Sequence, residues 1–198
     1  FYQGIEQIPP GSGFELTLDG TWQQWSFWSL DELSLSASKN PAATFAELFE
    51  DAVRIRMRSD VPVGVCLSGG LDSTAIICAA ARQRGETAAG QSESLQAFCY
   101  MAKEFDESKY ITDTLTQTRA QLRQLETSPA ELWSDLRQLL WFQDEPVHTM
   151  TAVVGYQLMR LAASNGIRVV LNGQGADETI GGYSSYFQDY WVSLLRQG

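Results

Sequence analysis

Val61-Pro62-Val63-Gly64-Val65-Cys66-Leu67 runs straight into Ser68-Gly69-Gly70-Leu71-Asp72-Ser73. The first half is almost wholly apolar, which suits a strand covered on both faces. The second half is a glycine-rich turn, and the apolar stretch from Thr74 to Arg84 reads as a helix that Gly85 is expected to stop. The same alternation continues downstream. Leu95 to Met101 is another apolar run, a helix is expected from about Ser108 to Arg119, and a short strand lies near Gln121 to Leu125. Ser128-Pro129-Ala130-Glu131 has the form of a capping box with proline at the first helical position, so a helix should run from there to about Leu140. Thr151 to Asn165 reads as a helix closed by Gly166, and Ile167 to Leu171 as a further buried strand. Strand and helix alternating in this way imply an α/β fold, a parallel sheet flanked by helices with right-handed crossovers. Ligands in such sheets collect at the carboxyl ends of the strands.

Upstream of this unit, residues 1–28 are rich in aromatics and turn signals. Pro9-Pro10-Gly11, Ser12-Gly13 and Asp19-Gly20 bracket alternating stretches such as Phe14-Glu15-Leu16-Thr17-Leu18, the pattern of a β-hairpin. A polar linker, Ser34 to Lys39, leads to Asn40-Pro41, where asparagine can cap a helix and proline can occupy its first position. Phe45, Leu48, Phe49, Ala52 and Val53 then recur at helical spacing, and this helix should end near Ser59.

The chain has 198 residues, enough for one well-buried domain with an appendage. Apolar residues make up 44% and charged residues 19%, which excludes a disordered, collagenous or simple-repeat chain. The formal net charge of −10 disfavours sequence-independent binding to nucleic acid or anionic lipid, so any phosphate bound here needs a local site. The longest apolar stretches fall far below the roughly 18 residues needed to cross a bilayer. Cys66, Cys78 and Cys99 sit within apolar runs without Cys-x-x-Cys spacing, the pattern of reduced, buried thiols in a cytoplasmic protein. A chain beginning at Phe1 and ending at Gly198 reads as a piece of a longer protein.

Ser68-Gly69-Gly70-Leu71-Asp72-Ser73 carries the strongest chemical signal. Adjacent glycines turn the backbone sharply and bring bare N–H groups against an anion. Ser68 and Ser73 add hydroxyl donors, and the helix N-terminus adds a dipole worth about 0.3 to 2 kcal/mol toward a phosphate. The loop has neither the lysine of a Walker A motif nor a GxGxxG spacing. A plain strand-to-helix turn would explain the glycines but not Asp72, whose carboxylate repels phosphate unless a divalent cation stands between them. The second signal is Asn172-Gly173-Gln174-Gly175-Ala176-Asp177-Glu178, again after a buried strand, followed by Gly181-Gly182-Tyr183. An acidic helix N-terminus alone would account for Asp177 and Glu178. Two such turns on one sheet favour a second metal ligand, with Asp177 the better candidate, so that Asp72 and Asp177 hold Mg²⁺ against a triphosphate.

These motifs resemble the asparagine synthetases and their relatives among the pyrophosphate-loop ATPases. Phe1-Tyr2-Gln3-Gly4-Ile5 with Ile8-Pro9-Pro10-Gly11 is similar to the tail of a glutaminase domain, and Ser59 to Gly64 with Ser68 to Ser73 is similar to the synthetase signature. Phe105-Asp106-Glu107-Ser108, Asp144-Glu145-Pro146 and Asn172 to Glu178 with Gly181-Gly182-Tyr183 resemble later family motifs in the correct order. The resemblance implies an adenine nucleotide alpha hydrolase-like fold. It also implies that residues 1–33 are a glutaminase tail and linker, a hairpin remnant, and that residues 40–198 are part of an ATP-dependent synthetase domain.

The implied chemistry is amide synthesis: ATP activates a carboxylate, of aspartate in the first instance, as an acyl-adenylate, pyrophosphate leaves, and ammonia from glutamine attacks. Ser68, Gly69, Gly70, Asp72 and Ser73 would hold the pyrophosphate, and Asp72 and Asp177 would bind Mg²⁺. Leu67, Tyr100, Asn172 and Gly173 stand at the nucleoside-contacting positions. Where asparagine-making members have Ser-Gly-Glu this chain has Asn172-Gly173-Gln174, which puts a neutral amide at a catalytic position. Implied partners are the small-molecule substrates and the glutaminase domain of the same chain, with a homodimer compatible and neither nucleic acid nor membrane expected. A family lysine is expected beyond Gly198. A carboxylate-activating cyclase of the β-lactam or lasso peptide type, a nucleotide-binding domain that has lost catalysis and, more remotely, a tRNA-modifying enzyme are the alternatives. His148, alone of its kind, is assigned no role, Arg54, Arg56 and Arg58 are expected mostly at the surface, and Phe187, Tyr190, Trp191 and Leu194 form one apolar helix face.

Overall fold

The computed structural model describes residues 2–29, 38–87, 94–101 and 107–197. Most of the linker from Ser34 to Lys39, and Phe105 and Asp106 of the motif before Ser108, lie outside them. Two compact units divide the chain, residues 1–46 and 47–198. In the first, β1 (Ser12–Leu16) and β2 (Trp22–Ser26) form the expected antiparallel hairpin, with Leu16 opposite Trp22. Asp19 shapes its tip: the Thr17 hydroxyl and the Thr21 amide both donate to the Asp19 carboxylate, holding it well below the usual range, at about 2. Helix α1 (Pro41–Arg56) begins in this unit and continues into the second; Asn40 caps it by accepting from the Ala43 amide at 3.3 Å.

The second unit is built on a four-stranded parallel sheet in the order β5 (Gln121–Leu125), β4 (Gln96–Tyr100), β3 (Val63–Cys66), β6 (Val169–Leu171). The two central strands bury both faces, because successive side chains point to opposite sides. Val65, Ala97 and Cys99 pack with Val53, Ile77, Ala80 and Ile111 on one side, beneath α1, α2 (Leu71–Thr87) and α3 (Ser108–Thr118). Cys66 and Phe98 pack with Leu158, Ala162 and Ile167 on the other, beneath α5 (Thr151–Ser164), which in turn packs on α4 (Pro129–Gln143). Gly64 is required on this second face: a Cβ there would stand 2.7 Å from the Phe98 ring and 3.0 Å from Ile167 Cγ2. Beyond β6 come the short α6 (Ala176–Ile180) and α7 (Ser185–Gln197). Phe187, Tyr190, Trp191 and Leu194 are all exposed on α7.

Several element ends differ from the sequence expectation, each for a local reason. Helix α2 starts at Leu71, not Thr74, because the Thr74 amide already bonds back to the Gly70 carbonyl at 3.1 Å. It also passes through Gly85 to Thr87; glycine inside a helix costs about 1 kcal/mol and does not forbid it. Helix α1 stops at Arg56, three residues early. Strand β6 is only three residues long, because the Ile167 amide is taken by the Ala162 carbonyl at 3.0 Å and pairing with β3 begins at Val169. The capping box on α4 is present in full: Glu131 N–H donates to Ser128 Oγ and Ser128 N–H donates to the Glu131 carboxylate.

Candidate active site at the carboxyl edge of the sheet

Strands β3 and β6 lie side by side in parallel, so the turns that follow them emerge at the same edge. After β3, Gly69 adopts a φ of +89° and the chain enters α2 at once. Asp72 and Ser73 therefore belong to the first helical turn, where amides have no intrahelical partner. The two serines tie the loop into a ring: Ser68 N–H donates to Ser73 Oγ at 3.1 Å, the two hydroxyls lie 3.0 Å apart, and Gly70 N–H donates to Ser68 Oγ at 3.2 Å. Ser73 Oγ also donates to the Gly70 carbonyl, and Ser73 is buried. Gly69 touches the N-cap of α3, since a Cβ on it would lie 2.9 Å from Glu107 Cβ.

After β6, the Asn172 carboxamide accepts from the Gln174 amide at 3.1 Å, an Asx-type turn that bends the chain toward α2. Gly175 (φ +89°) precedes α6 and Gly181 (φ +74°) ends it. The Gly181 and Gly182 amides both donate to the Asp177 carbonyl at 3.0 Å, and a Cβ on Gly182 would collide with Asp177 Oδ1. This reversal returns Tyr183 over α6, where its hydroxyl donates to Glu178 Oε1 at 2.9 Å. The hydrogen bond to the carboxylate pushes the Tyr183 phenol above its ordinary pKa.

The two turns meet in one cavity of about 210 Å³ lined by Ser68, Gly70, Asp72, Ser73, Asn172, Gly173, Gln174 and Asp177, together with Cys66, Gly175, Glu178 and Tyr183. Of the residues singled out from the sequence, Leu67, Gly69 and Tyr100 do not line it. Leu67 is buried in the core on one side of the sheet, and Tyr100 packs on the other side with the Phe98 group. Cys66 is an addition that the sequence reading did not single out, and Tyr183, quoted there at the end of the second motif without a role, also lines the cavity. Burial pushes the Cys66 thiol up to about 11, so it lines the cavity as a neutral group. His148, Arg54, Arg56 and Arg58 are exposed, and Arg54 pairs with Asp51 at 2.5 Å. A larger cleft of about 470 Å³, between α4, α5 and the end of β5, contains none of the candidate residues.

Among the described residues, three carboxylates and no lysine, arginine or histidine line the smaller cavity. Its volume lies below the roughly 300 to 1,000 Å³ of pockets that enclose whole organic ligands, and suits a phosphate tail and its counterion. Among the described residues no group of three or more His, Cys, Asp or Glu forms a ready-made metal cage. Mg²⁺ is commonly bound through one or two carboxylates with phosphate and water oxygens completing its shell, and Asp72 and Asp177 are two carboxylates on the wall of one cavity.

A four-stranded parallel sheet flanked by helices, with a glycine turn after one of its two central strands, is consistent with an α/β nucleotide-binding synthetase domain. The family model described as asparagine synthase matches residues 44–197, and the chain belongs to that family. It is 28% identical over 176 residues to the putative asparagine synthetase [glutamine-hydrolyzing] 2 of Methanocaldococcus jannaschii, covering 88% of this chain and 33% of that protein. It is 28% identical over 185 residues to asparagine synthetase [glutamine-hydrolyzing] 1 of Bacillus subtilis, covering 92% and 28% respectively. The amidase chry2 of Gibberella zeae is 24% identical over 204 residues, covering 96% and 30%. The chain thus spans a third or less of the length of these relatives. No helix among the described residues is long and apolar enough to cross a membrane.

Proposed function

We propose that this chain is part of the ATP-binding portion of an amide-forming ligase, in which a carboxylate, in the first instance that of aspartate, is activated as an acyl-adenylate and then attacked by glutamine-derived ammonia. The single observation that carries the reading is the meeting of two turns from neighbouring parallel strands, each bringing a carboxylate, Asp72 and Asp177, to one small cavity. In this reading residues 1–33 are the tail of a glutaminase domain with its linker and residues 40–198 are part of the synthetase domain. The names of the relatives, asparagine synthetase [glutamine-hydrolyzing], support it. The three free cysteines among the described residues agree with a cytoplasmic enzyme.

Asp72 and Asp177 are the residues that would hold Mg²⁺, which supplies charge neutralisation between these carboxylates and a phosphate tail. The amides at the start of α2, oriented by the Ser68–Ser73 ring, receive the pyrophosphate oxygens as negative charge builds on them. Asn172 and Gly173 hold the opposite wall, with Leu67 and Tyr100 carried as nucleoside contacts by family position. Gln174 offers the substrate an amide that can donate or accept hydrogen bonds but cannot take a proton near neutral pH. The test is pyrophosphate release by the full-length protein with ATP, Mg²⁺, aspartate and glutamine. Aspartate-dependent release is expected, and its absence would remove aspartate as the acceptor. Gln174 favours a second reading, activation of a different acid for an amine within the same molecule, to which a panel of β-amino acids and peptides in the same assay would respond.

A further inference from the structure

We infer that Glu107, at the N-cap of α3, is a positioning residue for the phosphate loop: it buttresses Gly69 and holds it in the left-handed conformation in which the loop receives pyrophosphate. The inference deepens the carboxylate-activation reading above and rests on it for its kinetic consequences. Glutamate is not among the residues that favour an N-cap, which are serine, threonine, asparagine, aspartate and glycine. At this position it makes no side-chain cap hydrogen bond, so the local needs of α3 do not explain it.

Glu107 lies against the loop instead. A Cβ built on Gly69 would stand 2.9 Å from Glu107 Cβ, 3.3 Å from its carbonyl oxygen and 3.4 Å from Oε2. The first two atoms belong to the backbone or are bonded directly to it, so no rotation of the side chain clears them. That backbone is itself anchored. The Glu107 carbonyl accepts from the Ile111 amide at 3.1 Å, and Ile111 is buried in the core with Ile77 and Ala80 of α2, the helix that the loop enters. Gly69 is therefore bare for two separate reasons, its φ of +89° and the wall that Glu107 presents. The Ser68–Ser73 ring ties the loop from within, and Glu107 braces it from outside. A loop held in its binding conformation beforehand loses less freedom when it closes on an anion. The contact is one of shape, and the charge of the carboxylate is not needed for it.

Glu107→Gly separates the brace from the cap, because glycine is itself a favoured N-cap residue and α3 should keep its stability. In the full-length protein this variant is expected to raise KM for pyrophosphate, in acid-dependent exchange of pyrophosphate into ATP, about 10-fold, less than the roughly 100-fold effect of a full 1 Å misplacement. KM for the acid and the thermal midpoint stay unchanged. Glu107→Gln, which keeps Cβ and carbonyl and loses only the charge, restores the wild-type constant. Gly69→Ala, which meets both obstacles, is expected to lower the exchange rate about 100-fold, and adding Glu107→Gly to it should recover part of that loss. Hydrogen–deuterium exchange of the Ser68 to Ser73 amides, faster in Glu107→Gly than in the wild type, reads the loosened loop without any turnover. Unchanged amide protection in Glu107→Gly overturns the inference. So does an unchanged KM for pyrophosphate in an active enzyme, or a Glu107→Gln variant as impaired as Glu107→Gly. Wild-type protein that incorporates no pyrophosphate with any acid overturns the activation reading, and amide protection then decides the brace by itself.

Discussion

Gly173 lies against Asp72 so closely that a side chain on it would place its Cβ 3.1 Å from Asp72 Cβ and 3.4 Å from the Ser73 amide. The two turns therefore touch through a residue at which even a methyl group would force its neighbour to give way slightly. Gly173→Ala is expected to shift Asp72 and the first turn of α2 slightly and to lower pyrophosphate exchange by less than the roughly 100-fold that accompanies a 1 Å misplacement. The fold should survive, since the site is half exposed. Comparing exchange rate with the thermal midpoint checks this: a large fall in Tm would make the defect one of stability.

Gly182 bears the same relation to Asp177. Because any Cβ there would collide with Asp177 Oδ1, Gly182→Ala should displace the carboxylate and reproduce the defect of Asp177→Asn. Both variants are expected to need more Mg²⁺ for half-maximal exchange, with losses of about 10²- to 10³-fold at fixed Mg²⁺. Mg²⁺ titrations of the two variants measure it, and curves superimposable on the wild type would remove Asp177 from the cation site.

In the core, Gly64→Ala would set a methyl group 2.7 Å from the Phe98 ring. Overpacking of this kind costs about 1 to 3 kcal/mol, which denaturant unfolding resolves. Phe98→Leu makes room, so the double variant should be less destabilised than the sum of the two single ones.

The Cys66 thiol, raised by burial from 9.0 to about 11, should react about 100-fold more slowly with a thiol reagent at pH 8 than in unfolded protein. Its folded pKa is the higher one. The stability linked to the neutral thiol is thus complete below pH 9 and is lost as pH rises from 9.0 to about 11. Mass-spectrometric labelling rates at Cys66, native against denatured, check the first statement, and unfolding at pH 8 and pH 10 checks the second.

Much of this architecture can be read from the sequence because its signals are local. The apolar run before Ser68 marks β3, the Ser-Pro-Ala-Glu box marks the start of α4, and each lies where its pattern points. Helix ends are less legible. The start of α2 depends on a hydrogen bond to Gly70, and residue type alone does not say whether a glycine such as Gly85 ends a helix or is carried inside it. Tyr183 closes the Gly181-Gly182-Tyr183 motif in the sequence, but only the reversal at Gly181 turns its hydroxyl toward Glu178. The Gly181-Gly182 pair just before it was the available clue. Leu67 and Tyr100 show the opposite effect, since family position alone does not reveal that their side chains enter the packing on opposite sides of the sheet.

The pairing of Val63 with Val169, Gly64 with Val170 and Val65 with Leu171 acts as a ruler for the chemistry beyond it. One strand advances about 3.3 Å per residue, so a slip of a single step would part the two carboxylate-bearing bends by more than the length of a hydrogen bond. Three short rungs of ladder, ending one residue before Cys66 and Asn172 on the cavity wall, thereby set the spacing between the bends that carry Asp72 and Asp177.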